Sequence, residues 1–414
     1  MTRRFALVFL AMAALVAFPA GAPADDGVTD TSVRIGVWHP LSGPAVAYAP
    51  IARAMEAYFR MVNENGGIHG RKVELVVRDD AYTPARTVAV VKELIEKEKV
   101  FAFLAGLGTP TNLAVMKMIN DARIPHFSPA TGSSVWAHPE KAKDFGLTAD
   151  LVGKDGKNYY YALQTNYITE SVLLTRYTFE TLKKTKVAII YQNDPFGKEG
   201  LFGVRQEVQR QKATLVAEVS YETGDTDLSS QALKLKQSGA DAVILWTIPR
   251  FAAQIVKEMA KVGYRPSIVS SYVNNDPTMF RLTCDKWDQA ANKCTGETLW
   301  QGALIAAWTM DYRDDDPGVE KYRQFMKKYL PNELVGGFTL AGYVFAESMA
   351  EALKRAGKTL NRDTFMRGIE SIKNWNGDVV RRVTFGPNDH QGIEAVRIQE
   401  AHPEKIIYKT DWIE

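Results

Sequence analysis

Apolar and polar positions along the chain alternate between two periods. Val33, Ile35 and Val37 recur at every second residue over Ser32 to Val37, which predicts a strand with one face buried. After the loop Leu41-Ser42-Gly43-Pro44, the residues Ile51, Met55, Tyr58, Phe59 and Val62 fall on one helical face, and Gly66-Gly67 stops that helix. The same reading gives a strand at Val73 to Val77, a helix at Ala85 to Lys97 and a strand at Phe101 to Leu104. A helix at Leu113 to Ala122 follows, and then the apolar segment Ile124-Pro125-His126-Phe127. A second set repeats the pattern: strands at Val187 to Tyr191, Leu215 to Val219, Ala242 to Trp246 and Ile268 to Ser271, separated by helices at Leu201 to Gln211, Ser229 to Gln237 and Phe251 to Val262.

Repeated strand-helix-strand units imply parallel sheets with helices on both faces, because right-handed crossovers put them there. Two Rossmann-like α/β lobes accommodate the two sets more economically than one very wide sheet. Between the sets, Tyr159 to Gln164 reads as a strand that runs from one lobe to the other. Leu299 to Trp308 reads as a second such strand, followed by helices at Gly318 to Tyr329 and Phe338 to Lys354. A β-rich tail is expected around Val379 to Phe385 and Ala395 to Gln399. Lobes made of discontinuous segments joined by several crossings form a hinge, and a cleft that closes over a ligand suits that shape.

The first 24 residues read differently. Arg3 and Arg4 precede the unbroken apolar run Phe5 to Phe18, and Ala22-Pro23-Ala24 supplies small residues before Asp25-Asp26. This is the pattern of a secretory leader cleaved near Ala24, and the run is shorter than the roughly 20 apolar residues of a membrane span. The 51 Lys and Arg nearly balance the 48 Asp and Glu, without a basic block, which argues against a nucleic-acid binder. In an exported chain, the two cysteines, Cys284 and Cys294, are expected to form a local disulfide. In the chain-entropy picture, closing that loop stabilises the fold by about 3 kcal/mol.

Catalytic signatures are sparse. The six histidines never occur at i, i+4, and the chain has no HExxH, GxSxG or Cys-x-x-Cys motif. Gly106-Leu107-Gly108-Thr109-Pro110-Thr111 lacks the third glycine of a dinucleotide loop, so no cofactor is expected there. What such a loop offers is an anion site, because the helix read as starting at Thr111 leaves free N–H groups at its N-terminus, beside the Thr109 and Thr111 hydroxyls. A second small-residue loop, Ser128 to Ser134, follows the next strand and falls beside the first at the carboxyl edge of the sheet.

Several motifs together give the chain a resemblance to type I periplasmic substrate-binding proteins of ABC transporters, in the leucine/isoleucine/valine-binding family. They are Leu41-Ser42-Gly43-Pro44, Asn63-Glu64-Asn65-Gly66-Gly67-Ile68-His69-Gly70-Arg71 with Asp79-Asp80 after the next strand, Ile124 to Thr131, Asn193-Asp194-Pro195-Phe196-Gly197, and Phe385-Gly386-Pro387 with Asp389-His390. The resemblance implies a Venus-flytrap fold with a three-crossing hinge and no catalysis. It also implies a periplasmic, monomeric protein that captures a small solute and delivers it to an inner-membrane permease. The expected organisation is lobe 1 over residues 25–162 and 307–375, with lobe 2 over residues 163–306 and 376–414. Matched positions give Gly108 and Thr109 as one carboxylate-binding pair and Ala130, Thr131 and Gly132 as a second carboxylate-binding loop. Tyr48, Phe196, Ile248 and Phe338 become cleft walls by the same matching.

One position departs from the family. Where its amino-acid binders place the acid that pairs with the ligand ammonium, this chain has Tyr272, and Asp276 is the nearby candidate to replace it. A buried ammonium without an anionic partner costs several kcal/mol. The expected ligand is therefore either a branched-chain amino acid or an aromatic acid or amide that has no amino group. Two other readings stay open: a sensory subunit that reports cleft closure to a receptor, and an envelope enzyme with Asp194 or Asp276 as its acid or base.

Overall fold

Val33, Ile35 and Val37 bury their side chains from β1 (Ser32–His39), the strand at the heart of the first sheet. The protein is described here by a computed structural model covering residues 25–146, 150–288 and 293–414; the leader expected over residues 1–24 lies outside the described residues. Around β1 the chain adds α1 (Ala49–Glu64), β2 (Lys72–Asp79), α2 (Pro84–Glu96), β3 (Ala102–Leu104), α3 (Thr109–Asp121), β4 (His126–Phe127) and β5 (Tyr160–Tyr161). The strands pair in the order β2-β1-β3-β4-β5, all parallel.

The second lobe begins with α4 (Tyr167–Glu180). Then come β6 (Val187–Gln192), α5 (Pro195–Arg210), β7 (Leu215–Tyr221), α6 (Ser229–Gln237), β8 (Ala242–Trp246), α7 (Pro249–Lys261) and β9 (Ser267–Ser270). All five residues of β8 are buried, as a parallel strand covered on both faces requires. The chain continues through α8 (Thr278–Thr283), the two-residue strands β10 (Trp287–Asp288) and β11 (Lys293–Cys294), and β12 (Leu304–Ala307). Cys284 and Cys294 form the expected disulfide in this stretch.

From β12 the chain returns to the first lobe as α9 (Pro317–Tyr329), α10 (Gly337–Ala356) and α11 (Arg362–Glu370), with α10 lying on α1. It ends in β13 (Arg397–Glu400) and β14 (Ile407–Tyr408). The second sheet runs β14-β13-β12-β9-β8-β6-β7 and is parallel from β7 to β12, with β13 and β14 antiparallel at the edge. Among the described residues, no helix is long and apolar enough to cross a membrane.

Three crossings join the lobes, at residues 162–166, 308–316 and 391–396. The first and third run side by side: Ala162 N donates to His390 O (2.8 Å), Gly392 N to Ala162 O (2.7 Å) and Thr165 Oγ1 to Ala395 O (2.6 Å). Two expected strands shorten: Tyr159 to Gln164 to Tyr160–Tyr161, with its last residues leading into the first crossing, and Leu299 to Trp308 to Leu304–Ala307, with residues 299–302 forming turns before it. Val379 to Phe385 joins neither sheet. Its Phe385 ring packs on Phe127 (5.6 Å between centroids) and Tyr161 (6.2 Å) in the first lobe.

Candidate ligand-binding cleft

The carboxyl ends of both sheets face a cleft between the lobes, with about 730 Å³ of space including the part open to solvent. On the first-lobe side it is lined by Tyr48, Tyr82, Gly108, Thr109, Ala130 and Thr131, together with Phe338 and Phe345 of α10. Phe196, Ile248 and Tyr272 close it from the second lobe, with Tyr167 at the start of α4, and the crossings contribute Gln164 and Trp308. The structure thus brings together nine of the sequence-expected site residues. Gly132, the tenth, lies just behind the wall, where a Cβ would stand 1.9 Å from Tyr272 Oη and 2.8 Å from Thr165 O, so only glycine leaves room for the Tyr272 ring.

The first anion loop is built from the start of α3. That helix begins at Thr109 rather than Thr111, with Gly108 as its N-cap at φ 99°, a backbone conformation that glycine adopts without strain. No side chain caps this end, so its leading N–H groups face the cleft with the helix dipole behind them. Thr109 Oγ1 stands 2.6 Å from Thr131 Oγ1, which puts two hydroxyls together at the cleft wall. Thr111, expected to offer a third, turns its hydroxyl back onto the carbonyls of Leu107 and Gly108.

The second loop differs. Ala130 N donates to Gly106 O (3.0 Å) and Thr131 N to Pro129 O (2.7 Å). With the Gln164 amide oriented so that its oxygen faces the loop, that oxygen also accepts from Thr131 N at 3.2 Å and Gly132 N at 3.0 Å. The backbone donors of this loop are therefore met by the chain itself, and its polar group at the cleft wall is the Thr131 hydroxyl, which is shared with Thr109 Oγ1 and donates to Tyr167 Oη (3.3 Å).

The rest of the wall is aromatic. Tyr167 stacks on Tyr272 (5.7 Å, 26°) and meets Phe196 edge-on (5.1 Å), while Tyr48 and Phe338 pair edge-on across the other side (4.9 Å). None of the residues lining the cleft is Asp, Glu, Lys, Arg or His. Asp276 does not take the place of the missing acid. Its oxygens accept from Thr278 N and Phe338 N (both 2.8 Å), capping the starts of α8 and α10, and burial raises its pKa. Asp194 caps α5 through Gly197 N (3.2 Å). Glu170 is buried behind Tyr272, where it accepts from Tyr272 N (2.6 Å) and Ser271 Oγ (3.0 Å), and burial pushes its pKa well up.

The lobes touch across the cleft. Tyr48 Oη donates to Val273 O (3.1 Å), and Gln192 Nε2 donates to Tyr82 Oη (3.3 Å). Glu199 of α5 accepts from Ser134 N (2.7 Å) and from the Ser134 hydroxyl, and burial raises its pKa to about 7. Tyr82, Gln164, Tyr167, Trp308 and Phe345 were not singled out from sequence. Tyr82 lies two residues after Asp80 in a family-like motif, and Gln164 and Trp308 each end an expected strand, so the sequence holds a pointer to each.

Comparisons with known proteins agree with this architecture. Residues 32–405 match the family model described as periplasmic binding protein. The Leu/Ile/Val-binding protein homolog 1 of Brucella abortus (strain 2308) is 25% identical over 84% of this chain and 83% of its own length. A fatty acid ABC transporter substrate-binding protein from Thermomonospora curvata superposes with a TM-score of 0.80 at 22% identity, covering 96% of both chains. A branched-chain amino acid ABC transporter protein from Thermus thermophilus with bound valine gives 0.77 at 22% identity, over 92% of this chain and 96% of that one. The chain belongs to the periplasmic binding protein family, with the type I two-lobed fold of its structural neighbours.

Proposed function

We propose that this protein is the extracytoplasmic solute-binding subunit of an ABC importer, and that its ligand is a small apolar or aromatic carboxylate without an amino group. The carrying observation is the chemistry of the cleft wall: free helix N–H groups and two threonine hydroxyls at one edge, mostly rings and aliphatic groups elsewhere, and no acidic or basic side chain among the described lining residues. A carboxylate is stabilised by the helix terminus and by charge-assisted hydrogen bonds from the hydroxyls. An α-ammonium in the same space meets no anionic partner and forfeits several kcal/mol of hydration. The fatty acid named for the Thermomonospora neighbour has this headgroup chemistry, a carboxylate alone. In this reading, closure brings Phe196, Ile248 and Tyr272 over the ligand, and the closed monomer is what a membrane permease receives.

The relatives named for leucine, isoleucine and valine support a second reading, capture of a branched-chain amino acid. A thermal-shift panel separates the two by pairing leucine with 4-methylpentanoate and phenylalanine with 3-phenylpropanoate. A ligand at a thousand times its Kd stabilises by about 4 kcal/mol when it binds only the folded chain. Shifts with the two acids and none with the two amino acids are expected; the reverse would establish the second reading.

A further inference from the structure

Trp308 stands directly after β12, where the chain crosses back towards the first lobe. Its indole stacks on Phe345 of α10, with centroids 5.7 Å apart and planes at 22°, and it is 7% exposed. It is common to the lining of two cavities. One is the ligand cleft; the other, with about 770 Å³ of space including the part open to solvent, is bounded by Asn374, Arg381, Arg382, Ile393, Ala395 and Trp412.

The second cavity is polar but balanced. Arg381 is held by Asp316 Oδ2 (2.9 Å) and by the carbonyls of Gly377, Asp378 and Val380, and Arg382 lies 3.4 Å from a Glu414 oxygen. Glu394 also lines it, so it presents no uncompensated charge, while Ile393, Ala395 and the two indoles give it apolar surface. With the charges paired, that apolar part, rather than the polar remainder, is where the far end of an extended chain would rest.

We propose that the Trp308 indole is the end wall that limits ligand length, and that the cavity behind it is a latent extension of the binding cleft. The proposal rests on the acid-binding reading above. A short acid anchored at Thr109 and Thr131 ends against the rings, whereas a longer one must displace the indole from its stack on Phe345. Removing the indole joins the two spaces.

Calorimetric titration of straight-chain carboxylates from butanoate to dodecanoate into the wild-type protein, Trp308→Phe and Trp308→Ala tests this. Affinity for wild type should rise with chain length and then fall sharply. Trp308→Ala should move that limit by several carbons, with at least a tenfold gain for the acids just beyond it relative to the short ones. Trp308→Phe, which keeps a ring on Phe345, should move the limit less and guards against an unfolded alanine variant. An unchanged length profile, with acids still binding, would overturn the end-wall proposal and leave the acid reading standing. If no acid bound any of the three proteins, the acid reading would fall and the proposal with it.

Discussion

The loops at Gly108–Thr109 and Ala130–Gly132 look alike in sequence: both are small-residue turns after a parallel strand, both carry threonine, and both reach the same edge of the first sheet. Folded, they part. The first ends in an uncapped helix start, with its backbone donors turned towards the cleft. In the second, Ala130 N and Thr131 N are taken by backbone carbonyls and Gly132 N by the Gln164 amide. A few residues on, the same segment ties itself to the other lobe, where Ser134 donates twice to Glu199. In the proposed function the first loop is the ligand site, while the second is mainly a structural joint that lends one hydroxyl. A sequence shows which donors exist; which of them the chain has already used is decided by residues far away, here Gly106, Gln164 and Glu199.

Mutations should separate the two loops. Thr109→Val removes a hydroxyl that bonds an ionic group, a change of about 1.5–3 kcal/mol. It should weaken binding of 3-phenylpropanoate by roughly 10- to 100-fold in calorimetry and leave the melting temperature of the free protein unchanged. Equal losses in affinity and stability would mean that Thr109 is structural.

The joint should carry a pH signature. Burial raises Glu199 from its ordinary 4.5 to about 7 in the closed form, and opening the lobes breaks its contacts with Ser134 and returns it towards 4.5. The closed form therefore binds the extra proton between those values. Closure is favoured most below about 4.5 and loses that advantage as pH rises through 7. Affinity should fall roughly tenfold between pH 5 and pH 8, since each unit of pKa shift is worth about 1.36 kcal/mol and the closed form holds part of the shift. Glu199→Gln should flatten the profile. A wild-type slope that persists in the variant would assign it to another buried acid, such as Glu347 at about 8.

Gln164→Ala strips the second loop of its amide acceptor. Leaving buried N–H groups unmet should destabilise the protein by about 1–3 kcal/mol in chemical denaturation and change acid affinity less than threefold. A large affinity loss would move the second loop into the ligand site. The smallest effect concerns a region away from both loops. Reducing the Cys284–Cys294 bond should lower stability by at most about 3 kcal/mol and leave binding as it was.

Much of the fold was legible because parallel strands buried on both faces read as apolar runs, and the helices between them carry one apolar face. Ser229–Gln237 and Ala242–Trp246 match the sequence reading residue for residue. Three helices, α4, α8 and α11, were not read, although Asn166 and Asn361 cap α4 and α11 through Thr169 N and Thr364 N. In α4 the buried positions include Glu170, Ser171, Thr175 and Thr178, so its apolar stripe is broken by polar residues that find partners only in the folded chain. The cleft walls were legible where a motif surrounded them, as with Phe196. Tyr167 was not, because it opens α4, whose apolar stripe is broken by polar residues. Asp276 misled for the opposite reason: an acid at the right distance along the chain proved to be a helix cap.

The central claim is that the cleft binds a carboxylate and has no place for an ammonium. Direct calorimetric comparison of 3-phenylpropanoate with phenylalanine, which differ only by the α-ammonium, tests it at pH 7. The account predicts saturable one-to-one binding of the acid and at least a hundredfold weaker binding of the amino acid; equal or tighter binding of phenylalanine would contradict it.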